Sequence, residues 1–322
     1  MRAAVSGWGK ALAGLVALLA LVAVTGCTLP RPPGDSPLRY RDQVFGNVSV
    51  SRDLQYGTAP DSQGNPVALK LDLYAPTGDT QSKRPAIVWV HGGSFSGGDK
   101  TNTVPVDVGQ TFAKQGYVVV SINYRLLGSG CVANPGQAQC IVAAIEAQHD
   151  AQAAIRWLRS RADFLRLDPT RIGIGGESAG GITATLVGLN TGDPGSSGNP
   201  GFPSTVRGFA SISGGLPTGA FATAGDAPGL FFHGTADRTV PFRWSDLTTA
   251  AMLNAGVGAW LQHQDGAGHV PYAQYRSLFL EQMDYFFYLT LDLAHAAGQP
   301  TAAARAYERL LLKDPQLRQL AR

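Results

Sequence analysis

The sequence predicts a single α/β domain with a mostly parallel central sheet flanked by helices. Short runs rich in β-branched and aromatic residues alternate along the chain with longer helical patterns, as βαβ units require. Some of those runs are apolar almost throughout, the mark of strands covered on both faces. The reactive side chains fall just beyond the carboxyl ends of these runs, where open parallel sheets place their ligand sites. At 322 residues, with 44% apolar residues, 40 glycines and 20 prolines, the chain has the composition of a turn-rich globular domain. It contains no tandem repeat and no central linker that would divide it.

Taken in order, "VALKLDLYAP" (67–76) alternates apolar and polar residues and reads as an antiparallel edge strand. "PAIVWVHGG" (85–93) and "YVVVSINYR" (117–125) read as buried strands, and "RIGIGG" (171–176), "VRGFASISGG" (206–215), "GLFFHG" (229–234) and "GAWLQHQ" (258–264) continue the series. Helical patterns lie between them at 106–115, 142–162, 178–189, 244–255 and 272–296. The expected boundaries are an export segment at 1–26, a tether at 27–44, the catalytic domain at 45–293 and a helical tail at 294–322.

The export segment has a basic start at Arg2 and Lys10 and an apolar run from Ala11 to Val24, followed by "VTGC". This is the pattern of a secretory signal, too short for a comfortable membrane span. Its end resembles a bacterial lipobox, with Cys27 as the lipidated residue, and the proline-rich "TLPRPPGDSP" (28–37) would hold the domain off the membrane. The expectation is an exported lipoprotein anchored in the cell envelope, on its periplasmic or extracellular face. Removing residues 1–26 lowers the formal charge from +3 to +1. No basic stripe remains, so nucleic-acid binding lacks its electrostatic footprint. Of the 3 cysteines, Cys131 and Cys140 then form an even pair, which export favours as a disulfide closing "CVANPGQAQC". No further cysteine exists to complete a thiolate metal site.

"GGESAGG" (175–181) holds GxSxG between a strand and a helix. A serine at such a turn must take a strained backbone conformation, and Gly176 and Gly180 remove the side chains that would collide there. A serine nucleophile needs a base, and the base an orienting acid. Asp237 follows the strand "GLFFHG", and His269 follows the strand "AWLQHQ" in a glycine-rich loop. Ser178, Asp237 and His269 thus appear in serine–acid–histidine order beyond consecutive strands. His233 and His263 sit in or at the end of apolar strands and read as packed residues, and His295 lies on a C-terminal helix. Asp226, Asp246 and Asp265 do not follow the strand that should carry the acid. "HGGSFSGG" (91–98) supplies an oxyanion turn, with the N–H of Gly92 or Gly93 acting together with that of Ala179. His91 reads as a loop-shaping residue.

Together, "HGGSF", "INYRL", "DPTRIGIGGESAGG", "HGTADRTVP" and "GAGH" resemble the α/β-hydrolase carboxylesterases, nearest to the hormone-sensitive-lipase-like, acetyl and feruloyl esterases. The resemblance covers roughly residues 45–290. It implies hydrolysis of small-molecule or polymer-linked carboxylic esters through an acyl-serine, without metal or cofactor, with Arg125 and Asp150 as a structural ion pair. Glu177 and "NYRL" are also similar to the type-B carboxylesterases, which are longer and use glutamate as the acid. "LPTGAFATAGDAP" (216–228) is too short for a helical cap, so an open site and short acyl chains are expected. Residues 189–204 and the Cys131–Cys140 loop would form its rims, and residues 38–60 would cover the pocket slightly. A peptidase or amidase of the same fold, or a catalytically inert binding protein, is the alternative. "AYERLLLKDP" (306–315) resembles half a tetratricopeptide repeat; alone it reads as an amphipathic helix, docked or exposed. The sequence carries no signal of oligomeric state.

Overall fold

The structure, a computed structural model, describes residues 28–127, 131, 138–189, 193–219 and 221–313. The signal segment and Cys27 lie outside the described residues, as do residues 314–322. Eight strands form one sheet: β1 (Val48–Pro60), β2 (Pro66–Pro76), β3 (Arg84–Val90), β4 (Val118–Ile122), β5 (Leu167–Glu177), β6 (Phe209–Ile212), β7 (Gly229–Gly234) and β8 (Ala259–Gln264). Their spatial order is β1-β2-β4-β3-β5-β6-β7-β8, antiparallel through β1, β2 and β4 and parallel from β4 to β8.

The helices are α1 (Thr103–Gln115), α2 (Ala138–Ser160), α3 (Ala179–Gly188), α4 (Phe242–Asn254), α5 (Tyr272–Thr290) and α6 (Thr301–Lys313). The pleat sorts the apolar strand residues between two cores, because successive side chains point to opposite faces. In β3, Ala86, Val88 and Val90 join the core beneath α2 and α3, while Ile87 and Trp89 join the core beneath α1 and α5. Both faces are therefore covered, which explains why these strands read as continuous apolar runs. Among the described residues no helix is long and apolar enough to cross a membrane.

Three expectations are corrected. The strand at 67–76 is not the sheet edge: β2 pairs with β4 on one side and with β1 on the other. Strand β1 takes the edge instead of covering the pocket, despite charges at Arg52 and Asp53 and register shifts on either side of Leu54 and Gln55. Residues 28–44 are not a free tether. Leu29, Leu38 and Tyr40 are buried in the α1/α5 core, and Arg41 donates to the carbonyls of Pro32 and Gly34, folding the strap on itself. The strap is pinned at its start by Leu29 N–H donating to Gln282 Oε1 on α5. The last helical stretch also divides. Asp292, at φ 54°, ends the helix after α5, and α6 docks separately through Ala303, Tyr307 and Leu311. That spacing of four residues is one helical face, so the tail is a docked amphipathic helix.

Tyr40 anchors the strap. Its ring meets Tyr117 edge-on at 5.5 Å, and its N–H donates to Gln115 O at 2.8 Å. Replacing a large buried ring by alanine removes roughly 3–5 kcal/mol. Tyr40→Ala is expected to lose stability of that order in urea unfolding, whereas a merely tethered residue would leave the midpoint unchanged.

Candidate active site

Four carboxyl ends of parallel strands build the site: β3, β5, β7 and β8. Strand β5 runs into α3 through Ser178, whose backbone sits at φ 55°, ψ −120°. This is a costly conformation for a residue with a side chain. The turn closes only because its neighbours are glycines. A Cβ on Gly180 would collide with the Val90 carbonyl, and one on Gly176 would lie 2.5 Å from the Gly180 backbone. The Ser178 N–H is held by Ile212 O at 2.8 Å.

Ser178 Oγ lies 2.8 Å from His269 Nε2, and His269 Nδ1 lies 2.8 Å from Asp237 Oδ2. Because Nδ1 faces a carboxylate, it carries the proton, which leaves Nε2 to accept from the serine hydroxyl. The loop bearing His269 is fixed by Val270 N–H donating to Ser213 Oγ at 2.9 Å. Asp237 Oδ1 accepts the N–H groups of Thr239 and Val240 at 2.8 and 3.0 Å. Burial pushes the Asp237 carboxyl up, but hydrogen bonds from His233, His269 and Thr239 outweigh it and hold the group well below the usual carboxylate range.

His233 is the residue sequence reasoning undervalued. Its Nε2 sits 3.1 Å from Asp237 Oδ2 and 2.9 Å from Val240 O, both acceptors, so that nitrogen bears the proton. Its Nδ1 is 2.6 Å from Ser245 Oγ. The carboxylate thus receives two imidazole N–H groups, one from the candidate base and one from a buried, fixed partner. The only sequence signal was a histidine four residues before the aspartate. The other candidates stand elsewhere: His263 pairs with Asp265, His295 pairs with Asp292, Asp226 caps Thr223, and Asp246 is exposed on α4.

The oxyanion turn follows β3 and abuts the serine, since a Cβ on Gly92 would lie 3.1 Å from Ser178 Cβ. Here one expectation is corrected. The Gly92 N–H is committed to Glu177 Oε1 at 2.9 Å and is not available to a ligand. Among the described residues, the N–H groups of Gly93, Ser94 and Ala179 have no acceptor. Gly93 at φ 128° and Ser94 at φ 54° turn the chain sharply here. Ser94 was missed because a serine in "HGGSF" carries no signal for its backbone.

Cys131 and Cys140 form a disulfide with Cα atoms 5.5 Å apart. Cys131 N–H donates to Ser94 O at 3.3 Å, and Leu127 N–H donates to Phe95 O at 2.6 Å, so this segment borders the oxyanion turn. Residues 132–137 of the loop lie outside the described residues. Arg125 and Asp150 form the expected buried pair at 2.9 Å. Residues 193–204 pack away on α2 and β1, where Arg156 donates to Gly198 O and Asn199 donates to Tyr56 O. Between β6 and β7 the described residues contain no helix, and no group of three or more His, Cys, Asp or Glu could hold a metal ion among them.

Comparison with known proteins agrees with this architecture. The family described as BD-FAE matches residues 71–201. Fumonisin B1 esterase of Sphingopyxis macrogoltabida is 32% identical over 155 residues, covering 47% of this chain and 27% of that protein. The chain thus spans about a quarter of that relative's length. Esterase 2 of Thermogutta terrifontis, solved with butyrate bound, has a TM-score of 0.63 and 25% identity, covering 82% of this chain and all of the other. The same esterase solved phosphorylated by paraoxon has a TM-score of 0.61 and 27% identity, covering 81% of this chain and 100% of that one.

The depressed acid has a measurable consequence. A carboxylate whose native pKa lies below its unfolded value, about 3.9, adds stability that is present above that pH and lost as the pH falls through the native value. The stability gap between the protein and Asp237→Asn is expected to be larger at pH 7 than at pH 3, measured by urea unfolding at both. The fold that carries these residues is that of the α/β-hydrolases, and the chain is similar to esterases within it.

Proposed function

We propose that the protein is a serine carboxylic-ester hydrolase acting through an acyl-enzyme, with Ser178 as nucleophile, His269 as general base and acid, and Asp237 as the orienting carboxylate. The observation that carries this reading is the unbroken line of two 2.8 Å contacts from Ser178 Oγ through His269 to Asp237. In acylation, Ser178 Oγ attacks the ester carbonyl carbon while its proton passes to His269 Nε2. The oxyanion is received by the N–H groups of Gly93, Ser94 and Ala179. Collapse breaks the bond to the leaving oxygen, which takes the proton from His269. Water then repeats the sequence against the acyl-serine, releasing the acid and restoring the hydroxyl. Asp237 stays ionised throughout, which supports the imidazolium.

Short acyl chains are the favoured substrates in this reading, supported by the short segment between β6 and β7 and by the butyrate held in the Thermogutta terrifontis esterase. The test is hydrolysis of p-nitrophenyl acetate, butyrate and octanoate beside Ser178→Ala. Turnover is expected to fall with chain length and to drop by about 10⁶-fold in the variant. Equal activity in both proteins would remove Ser178 from the mechanism.

We also propose, from "VTGC" at 24–27, that Cys27 is lipidated and anchors the protein in the cell envelope. Expressed in bacteria, the protein is expected to partition into the detergent phase of Triton X-114, and Cys27→Ser into the aqueous phase. Identical partitioning of the two would overturn the anchor.

A further inference from the structure

We propose that Glu177 is the positioning residue of the oxyanion turn: it ties that turn to the nucleophile elbow and selects which backbone N–H groups face the reacting carbonyl. The proposal rests on the hydrolase reading above.

The two halves of the site lie on different strands. Ser178 ends β5, and the oxyanion turn leaves β3, so their relative placement needs a link across the sheet edge. Glu177 is buried and provides it twice. Its Oε1 accepts the Gly92 N–H at 2.9 Å, and its Oε2 accepts Trp89 Nε1 at 2.7 Å. Trp89 is itself immobilised, because it lies under Gly175 so closely that a Cβ there would sit 2.5 Å from the indole ring. The frame behind the carboxyl is therefore rigid.

The next peptide is held from the other side. His91 Nδ1 lies 2.7 Å from the Gly92 carbonyl, and Tyr124 OH donates to His91 O at 3.1 Å while its ring stacks on His91 at 4.5 Å. With both backbone groups of Gly92 engaged, the turn at Gly93 rotates the following N–H groups outward and leaves them without acceptors. Only glycine fits at 92, since a Cβ would lie 3.0 Å from Glu177 O. Catalytic hydrogen bonds lose much of their effect with displacements of about 1 Å. A single side chain adjacent to the nucleophile thus sets the register between attack and stabilisation.

The electrostatics agree. Burial raises the Glu177 carboxyl to about 8, although the hydrogen bonds from Gly92 and Trp89 pull the other way. At neutral pH the group is uncharged and does not repel an oxyanion forming above the same turn. The titratable groups around it carry no opposing cation. Tyr124 beyond β4 and Tyr272 at the head of α5 are themselves raised by burial, and burial keeps His91 neutral. His269 stands across Ser178. As the pH rises through about 8, ionisation of Glu177 places a negative charge against the oxyanion, and turnover falls.

The experiment compares Glu177→Met, which keeps the bulk and removes both acceptors, with Glu177→Gln. The latter is made together with Trp89→Phe so that the amide NH₂ does not meet the indole N–H. Thermal unfolding, kcat and KM on p-nitrophenyl acetate, and the second-order rate of labelling by a fluorophosphonate are measured from pH 6 to 10. The methionine variant is expected to lose tenfold or more in kcat and in labelling rate, with KM within threefold. The glutamine pair should recover most of that loss and lack the alkaline decline. A folded methionine variant with unchanged kcat overturns the proposal, as does a joint loss in kcat, KM and melting temperature that glutamine fails to recover. If the methionine variant does not fold, an alkaline decline retained in the glutamine pair overturns it. A protein that is labelled without hydrolysing esters refutes the esterase reading alone, and the labelling rates still decide the role of Glu177. A protein inert to both refutes both.

Discussion

Ser178 is held at φ 55°, ψ −120°, and a strained residue of this kind costs on the order of 1–3 kcal/mol. It persists because its surroundings leave it no relaxed alternative. Val90 of β3 presses its carbonyl against Gly180, Ile212 of β6 receives the Ser178 N–H, and α3 begins at the next residue. The three central strands and one helix therefore act as the clamp. Their burial on both faces stiffens the clamp, and the oxyanion turn and the histidine loop are positioned with respect to it.

Around that turn, charge is managed by burial and by counted hydrogen bonds. Asp237 keeps its charge because four N–H groups converge on it, two of them from imidazoles. Glu177, only one position from the nucleophile, has two N–H partners and a drier surrounding, and it stays protonated at neutral pH. Two carboxyls of one site are thus set to opposite states without any metal ion, by environment alone. An anion belongs behind the imidazole, where it supports a developing cation. Beneath the oxyanion turn a neutral group is required.

How much of this was legible in the sequence follows from how strongly each position restricts its residue. Gly176 and Gly180 admit nothing larger, so the elbow was visible in five letters. The parallel strands were visible because covering both faces makes them uniformly apolar. Strand β1 was not, because an edge strand with Arg52 and Asp53 at an irregularity keeps neither a clean alternation nor an apolar run. The link from Glu177 to Gly92 was invisible because the middle position of the motif tolerates any side chain; its role depends on what lies across the sheet. His233 was read as packing, which is true of its ring and says nothing about its nitrogens. The strap at 28–44 looked extended from its prolines, yet Leu29, Leu38 and Tyr40 contribute enough apolar surface to dock it.

That docked strap also orders events in time. Its first bond joins Leu29 to Gln282, residues 253 apart, and its aromatic anchor packs in a core completed by α5. Contacts of such separation close late, after the loop entropy of the intervening chain has been overcome. A chain emerging from its N-terminus therefore carries the strap unpaired until nearly all of the domain is available. The last piece to settle is the first to be made, so the finished fold is withheld until the chain has been delivered almost whole.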